Sequence, residues 1–381
     1  MNEKIKFISA YLNNGAGTFQ ELCERFSISC KTGYKYINRY KEEGIDGLKE
    51  RSRAPHVQAN RMPSQIEDSI LNVKHHHPTW GGKKIRNWLM QEKSKVLWPA
   101  KSTIDDLLRR HGLVTPAKRK RRVAPYTQPF ILCGEPNDCW SIDYKGQFLL
   151  GNDQLCYPLT VSDNFSRFLL AVEGSKQISG TKVKKTLTNL FLECGLPCAM
   201  KSDNGPPFAS HAIGGLSGLS VWLIKLGIVP ERIRKGHPEE NGRHERMHLT
   251  LKKETALPPK KNQAQQQRCF DEFKKEFNEQ RPHEGINFNR PAWLYTHSTR
   301  QFPSKLPGVE YDSNIFEKTR RIRTNGTMKW QGREIFISET LIGETIGMKP
   351  YSETEWLLHF SFMPLAIFNE KMLKVNKLMV D

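Results

Sequence analysis

Residues 115–125, TPAKRKRRVAP, constrain the fold of this chain more than any other segment. Lys118, Arg119, Lys120, Arg121 and Arg122 stand in an unbroken row between prolines. Such a block repels itself and cannot enter an apolar core, and proline has no amide hydrogen to give to a helix or sheet. The chain must therefore fold as separate parts on either side of a basic linker, residues 115–129. Before it the apolar residues recur at helical spacing; after it they fall into short runs typical of strands. The same block asks for a polyanionic partner, and the net charge of +19 over 381 residues extends that demand to the whole chain. No apolar run approaches the roughly 18 residues of a membrane span, and FISAYL near the start is too short for a signal peptide. We therefore expect a cytoplasmic nucleic-acid-binding protein, nucleoid-associated if prokaryotic, with no membrane partner. The eight cysteines form no C-x-x-C pair, so they read as reduced thiols rather than zinc ligands. His75, His76 and His77 point in different directions on a helix and are not read as a metal site.

The first third divides into two helical modules. In residues 1–52, Thr18 and Glu21 form the pattern of a capping box, followed by Phe19, Leu22, Cys23 and Phe26 at helical spacing. A short SIS turn leads to a second helix from about Cys30 to Glu43. Its Tyr36, Ile37 and Tyr40 face inward and leave Lys31, Thr32, Lys35, Asn38 and Arg39 outside. Helix, short turn and basic second helix make a helix-turn-helix pattern; the same residues also suit an ordinary helical hairpin with a solvated basic face. Residues 60–114 repeat the plan with three helices. Ile66, Ile70 and Val73 lie inward on the first, and Ile85, Trp88 and Leu89 on the second. The third is capped by Ser102 and carries Arg109 and Arg110 near its end. A second, winged-type helix-turn-helix domain is expected here. RSRAPHVQANR between the modules reads as a linker able to track a groove.

From residue 130 to about 300 the order is three short strands, a helix, a strand and a helix, which is the order of a ribonuclease-H-like α/β core. Asp143 falls within the first strand, where a charge is costly unless a metal or another partner compensates it. Asp203 ends a later strand in the turn Asp203-Asn204-Gly205. Two residues compete for a third acid. Glu239 is separated from Asp203 by 35 intervening residues, but it sits in a turn between Pro238 and Gly242. Glu245 lies inside the helix that follows, with His248 and Lys252 on its face. Glu245 is the better ligand by geometry, and His237, His248 and Lys252 are read as strand contacts.

The segments PNDCWSIDYKG, LTVSDNFSRFLL, KSDNGPPFAS, GHPEENGRHERMHLTLKKE and FNEQRPHEGINFNRPAWLY resemble an integrase catalytic core. In particular the chain resembles insertion-sequence transposases of the DDE class with a retroviral-integrase-like core. That resemblance makes Asp143, Asp203 and Glu245 the catalytic and metal-binding acids, and it does not extend to the His-His-Cys-Cys zinc module of retroviral integrases. It implies Mg²⁺, with Mn²⁺ able to substitute, bound as two ions by oxygen ligands. The partner it implies is double-stranded DNA, both element ends and target, cut and joined by a homo-oligomer, a dimer or higher. A catalytically inactive DNA-binding regulator and a nuclease that cuts without joining are the alternatives.

Beyond residue 310 the pattern is β-like. RRIRT and TMKWQG flank Asn325-Gly326 and read as a hairpin, and the remaining strands to residue 381 read as a small β-barrel. Arg320, Arg321, Arg323 and Lys329 favour a DNA-contacting role. The whole is expected to be a multidomain α+β protein: helix-turn-helix modules, ribonuclease-H-like core and C-terminal β-barrel.

Overall fold

The structure, a computed structural model, describes residues 2–13, 17–50, 62–114, 133–210, 212–233 and 242–378. The chain separates into two compact units, Met1–Pro63 and Ser64–Asp381. The basic row Lys118–Arg122 and the linker at 51–61 lie outside the described residues.

In the first unit, α1 (Asn2–Leu12), α2 (Phe19–Arg25) and α3 (Cys30–Glu43) enclose Phe7, Ile8, Leu22, Cys23 and Ile37. The capping box forms as read: Thr18 accepts from the Glu21 amide, and Glu21 accepts from the Thr18 amide. Ser29 caps α3 through the amide of Thr32, so the turn between α2 and α3 is closed at both helix ends. Gly33 is needed for packing. A Cβ there would stand 2.8 Å from Cys23 Sγ and 3.0 Å from the Phe19 ring. On α3, Lys31, Lys35 and Asn38 are exposed, while Thr32 and Arg39 are half-buried.

The second unit opens with α4 (Ser64–His76), α5 (Gly82–Glu92) and α6 (Lys101–Arg110), packed around Ile70, Ile85, Leu89, Ile104 and Leu107. Two expectations change here. The described residues 62–114 contain no strand, so they supply no wing. Ser102 lies inside α6 rather than capping it, because the helix begins one residue earlier behind Ala100. The acid in its first turns is used elsewhere: Asp105 accepts from the amide of Gly82 and so caps α5 from across the module. This module is also fastened to the core. His77 bonds Glu276 at 2.8 Å, Gln91 donates to the Phe288 carbonyl at 2.7 Å, and Arg290 donates to Gln91 at 3.2 Å.

The core sheet contains β1 (Cys139–Tyr144), β2 (Phe148–Leu149), β3 (Leu155–Asp163), β4 (Leu169–Ser175), β5 (Ala199–Ser202) and β6 (Val229–Arg232). β3 pairs antiparallel with β1, β2 and β4, whereas β5 pairs parallel with β1 and β6. This is the strand order that a ribonuclease-H-like core requires. One face packs on α7 (Gly180–Cys194) and α8 (Gly218–Lys225) through Trp140, Ile142, Val161, Leu187, Phe191 and Trp222. The other lies under α9 (Gly242–Thr255) and α10 (Gln263–Glu279), where Leu169, Val172, Met247, Leu251, Phe270 and Phe273 form a second cluster.

At the C-terminus, β7 (Lys318–Arg321), β10 (Thr345–Ser352), β11 (Glu355–Phe360), β12 (Met363–Asn369) and β13 (Lys374–Lys377) form one antiparallel sheet. The strands β8 (Thr327–Trp330) and β9 (Arg333–Phe336) form a separate hairpin. Among the described residues no pairing closes these strands into the expected barrel. The hairpin also differs from the one read at Asn325-Gly326. Its two-residue turn is Gln331-Gly332, both at positive φ (45° and 84°), the backbone that tight hairpins require. β7 instead pairs with β10. The sheet rests on the core through Leu216, Val221 and Ile224.

Candidate active site

Alternation along β1 creates the site. Trp140 and Ile142 enter the apolar cluster beneath α7, which leaves Ser141 and Asp143 on the face toward α9. Their cross-strand partners on β3 are also polar: Ser141 stands opposite Ser162, and Asp143 opposite Thr160. On the other side, Ser141 pairs with Lys201 of β5. The pairing ends there, and Asp203 follows the last residue of β5, Ser202. Of the two aspartates found from sequence, Asp143 thus lies on β1 and Asp203 just past the end of its neighbour β5.

α9 crosses this polar strip. Its inward face carries His244, Met247, His248, Leu251 and Thr255. Thr160 is the hub beneath it. Its hydroxyl lies 2.7 Å from Nε2 of His244, 2.7 Å from Nε2 of His248 and 3.1 Å from the backbone carbonyl of Asp143. A hydroxyl has one proton and two lone pairs. The carbonyl can only accept, so the arrangement is fully satisfied when Thr160 donates to Asp143 and both imidazoles donate to Thr160. Each imidazole then carries its proton on Nε2. Nδ1 of His244 accepts from Ser162 Oγ at 3.3 Å, and Nδ1 of His248 faces Asp143 Oδ2 at 3.9 Å. Burial pushes His244 down to about 3, with Lys201 adding repulsion. Burial takes His248 down to about 2, helped by His244 and Lys145. Both rings are neutral at physiological pH, so the Asp143–His248 contact is not an ion pair there. Asp143, His244 and His248 each offer a ligand atom within 4.8 Å of the others.

Asp203 sits at the mouth of this strip in a tight turn, where its carboxylate accepts from the amide of Gly205 at 3.1 Å. Partial burial raises its pKa, opposed by that hydrogen bond. Glu245 is exposed, next in sequence to buried His244. Glu239 and His237 lie outside the described residues. His248, expected to contact a nucleic-acid strand, is only 6% exposed and belongs to the layer below Asp143. The reason is its place on α9, one turn after His244 on the face that packs against the sheet. Lys252 is exposed. It repels Lys145, whose pKa is lowered chiefly by burial and raised in part by Asp143, so both cations stand near the acid.

A second feature adjoins this strip and shares Ser162 and His244 with it. Lys84, Arg167, Arg243, Arg246 and Arg281 line a cleft of about 460 Å³. Burial, with repulsion from Arg281, pushes Lys84 down to about 8. Burial and Arg243 push Arg167 down to about 10, which leaves it charged at neutral pH. Arg281 is bound to Glu254 at 2.8 Å. On α6, Arg109 and Arg110 are exposed, with Arg109 bridged to Asp106.

Sequence reading missed Thr160, His244, Lys145 and the cleft. Lys145 had a signal, two residues beyond Asp143 on the same strand face. His244 had a weaker one, four residues before His248. Thr160 and the cleft depend on strand register and on docking of the 64–110 module, which no local pattern encodes.

Comparison with known proteins shows what parts of the chain are similar to. Residues 134–238 and 226–291 match the integrase core domain, residues 3–56 a helix-turn-helix domain and residues 32–108 a homeodomain-like domain. A 31.7 kDa protein of insertion element IS407 from Burkholderia multivorans is 29% identical over 194 residues, 49% of this chain and 65% of that protein. A 39.2 kDa protein of insertion element IS476 from Xanthomonas euvesicatoria is 28% identical over 201 residues, 50% of this chain and 54% of that one. The matched region thus spans 65% and 54% of these two relatives. A solved HTLV-2 integrase catalytic core domain in complex with magnesium is 14% identical over 42% of this chain and 98% of its own. Its TM-score of 0.34 is too low to add weight to the fold. No described helix is long and apolar enough to cross a membrane. The chain thus carries an integrase core domain behind helix-turn-helix and homeodomain-like segments, and over about half its length it is similar to proteins of insertion elements.

Proposed function

We propose that the chain is a DNA transposase, a polynucleotidyl transferase that cuts at mobile-element ends and joins them to target DNA. In this reading Asp143, Asp203 and Glu245 hold Mg²⁺, or Mn²⁺ in its place, as two ions. What supports it is the placing of Asp143 on β1 beside α9, with Asp203 just beyond the end of β5, the strand paired parallel with β1. The donor set fits such cations: Asp143 offers a carboxylate oxygen close to two imidazole nitrogens, and those imidazoles are neutral rather than competing positive charges. Glu245, exposed on α9, supplies the third carboxylate. When bound, divalent ions would activate the attacking oxygen and stabilise the leaving one in an in-line displacement.

The protein residues do the rest. Thr160 and the two histidines hold α9 against β1 and so fix Asp143 relative to Glu245. Lys145 and Lys252 neutralise phosphates beside the acids. Arg167, Arg243, Arg246 and Lys84 hold the backbone of the same DNA in the adjoining cleft, where a desolvated cation gains most from a phosphate. Sequence is read by α3 through Lys31, Lys35, Asn38 and Arg39, with Thr32 bound to its cap, and by the 64–110 module through Arg109 and Arg110. Lys118–Arg122 follow the backbone between module and core, and the C-terminal strands add Arg320, Arg321, Arg323 and Lys329. We further propose that the domains divide at 1–52, 60–114, 115–129, 130–300 and 310–381, and that two or more copies pair the element ends.

The test is cleavage and joining of labelled element-end duplexes with Mg²⁺ or Mn²⁺. Asp143→Asn should retain DNA binding and lose cleavage by at least about a thousandfold, roughly 4 kcal/mol of barrier. A chain that cuts without joining is a nuclease, and one that binds without cutting is a regulator. Full activity of Asp143→Asn refutes the metal-site assignment.

A further inference from the structure

Among the groups around Asp143, His248 is placed in a way that the acid triad does not use. Its Nε2 is committed to Thr160, and the resulting tautomer turns the Nδ1 lone pair toward Asp143 Oδ2 at 3.9 Å. The imidazole is nearly buried and the carboxylate half-buried, and both atoms are electron donors that a cation between them would bind together. Direct hydrogen bonding is excluded by length. The separation suits shared coordination. With metal–ligand bonds of about 2.1 Å, two donors on one ion stand between about 3.0 Å apart at a right angle and about 4.2 Å when opposed. The outer arrangement is also that of a metal-binding histidine, which donates its remote N–H to a fixed acceptor that sets tautomer and ring orientation. Thr160 is that acceptor, held in turn by its bond to the Asp143 carbonyl.

We propose that His248 is a nitrogen ligand, through Nδ1, to the divalent cation held by Asp143. Resting on the metal site proposed above, it gives that site a mixed oxygen and nitrogen donor set. His244 is a positioning residue. Both its nitrogens are engaged, with Thr160 and Ser162, and it braces the hydroxyl that orients His248. Imidazole favours first-row transition ions over Mg²⁺, so the site should select Mn²⁺ over Mg²⁺ more strongly than carboxylates alone would.

The test uses the full-length chain with Mn²⁺ as the probe, read by pulsed electron paramagnetic resonance and by equilibrium titration rather than by activity. Wild-type protein should show ¹⁴N modulation from a directly bound imidazole, which changes to the ¹⁵N pattern when histidine is ¹⁵N-labelled. His248→Gln should lose the modulation and bind Mn²⁺ about 10-fold or more weakly, with a smaller loss for Mg²⁺. His244→Gln should keep it. If His248→Gln does not fold, retention of the signal in His244→Gln still assigns it to the remaining imidazole beside Asp143. Mn²⁺ bound without ¹⁴N coupling, or coupling that survives in folded His248→Gln, overturns the proposal and leaves the carboxylate site standing. Mn²⁺ binding that is absent, or unchanged in Asp143→Asn, overturns both.

Discussion

Thr160→Val removes one hydroxyl at almost constant volume, and the structure gives that atom three partners. Two are the Nε2–H groups of His244 and His248, which are 3% and 6% exposed. Orphaning a buried donor costs about 1–3 kcal/mol, and the bond from Thr160 to the Asp143 carbonyl is worth about 1 kcal/mol more. Part of this is recovered if the ring protons move to Nδ1. There His244 can donate to Ser162 and His248 can approach Asp143 Oδ2. A net loss of about 2–4 kcal/mol is expected after that relief. The assay is selective because all eight tryptophans lie beyond residue 63. Urea unfolding followed by tryptophan fluorescence therefore reads the second unit alone. The midpoint should fall with the slope unchanged, which separates lost stability from a changed denatured state. Ser162→Ala, which removes a single 3.3 Å contact to His244, is the control and should cost less than about 1 kcal/mol. If Thr160→Val is no more destabilising than Ser162→Ala, the hydroxyl is not the hub and the tautomer assignment falls with it.

Other perturbations follow from the same structure. Asp105→Ala uncaps α5 and removes the bridge to Lys101, so the second unit should lose about 1 kcal/mol, read from the same fluorescence transition. Arg281→Met breaks a pair whose side chains are 5% and 14% exposed and leaves Glu254 partly buried without its partner; a loss of about 3–5 kcal/mol is expected, and Arg281→Met with Glu254→Gln should recover part of it. Burial holds His283 at about 3 in the fold, against 6.5 for the free ring. A depressed folded pKa means that the unfolded chain binds the proton first, so this contribution is complete above pH 6.5 and is lost as pH falls toward about 3, at no more than about 1.4 kcal/mol per pH unit. His244 and His248 act in the same direction. His283→Gln should therefore flatten the acid side of the stability profile without abolishing its slope. Arg246→Gln in the cleft should lower the salt dependence of DNA binding by about one phosphate contact, a slope change near 0.9 in log K against log salt; an unchanged slope removes that residue from the footprint.

Much of the fold was readable because its signals are local. The Thr18–Glu21 box, the spacing of Ile66, Ile70 and Val73, and that of Ile85, Trp88 and Leu89 each fix an element within a few residues. Asp143 was readable for the same reason, as a charge standing in an otherwise buried strand. What escaped depends on contacts far apart in sequence. Asp105 looks like a first-turn acid of its own helix, yet it caps Gly82, 23 residues earlier. Asn325-Gly326 has the composition of a hairpin turn, but the tight turn forms at Gln331-Gly332. There β8 and β9 can pair without competing with β7 for β10.

α9 shows why the candidate site was only partly legible. Choosing Glu245 over Glu239 treated the helix as one acidic face shared with His248 and Lys252. In the structure these three residues spread over a gradient of exposure, from buried His248 to exposed Glu245 and Lys252. The face that meets the sheet is set by Met247 and Leu251, which must join Leu169 and Phe270 in the apolar cluster. That packing turns His244 and His248 onto the polar strip of β1 and β3 and leaves Glu245 exposed. Aliphatic residues would satisfy α9 but would leave the Thr160 hydroxyl without its two imidazole partners. Two neutral imidazoles satisfy both: each presents an apolar ring to the cluster and a nitrogen to the strip. A pair of leucines at 244 and 248 would therefore keep α9 apolar and still destabilise the second unit. Recovery of stability when Thr160→Val is added to that pair would show that the histidines are there to serve the hydroxyl.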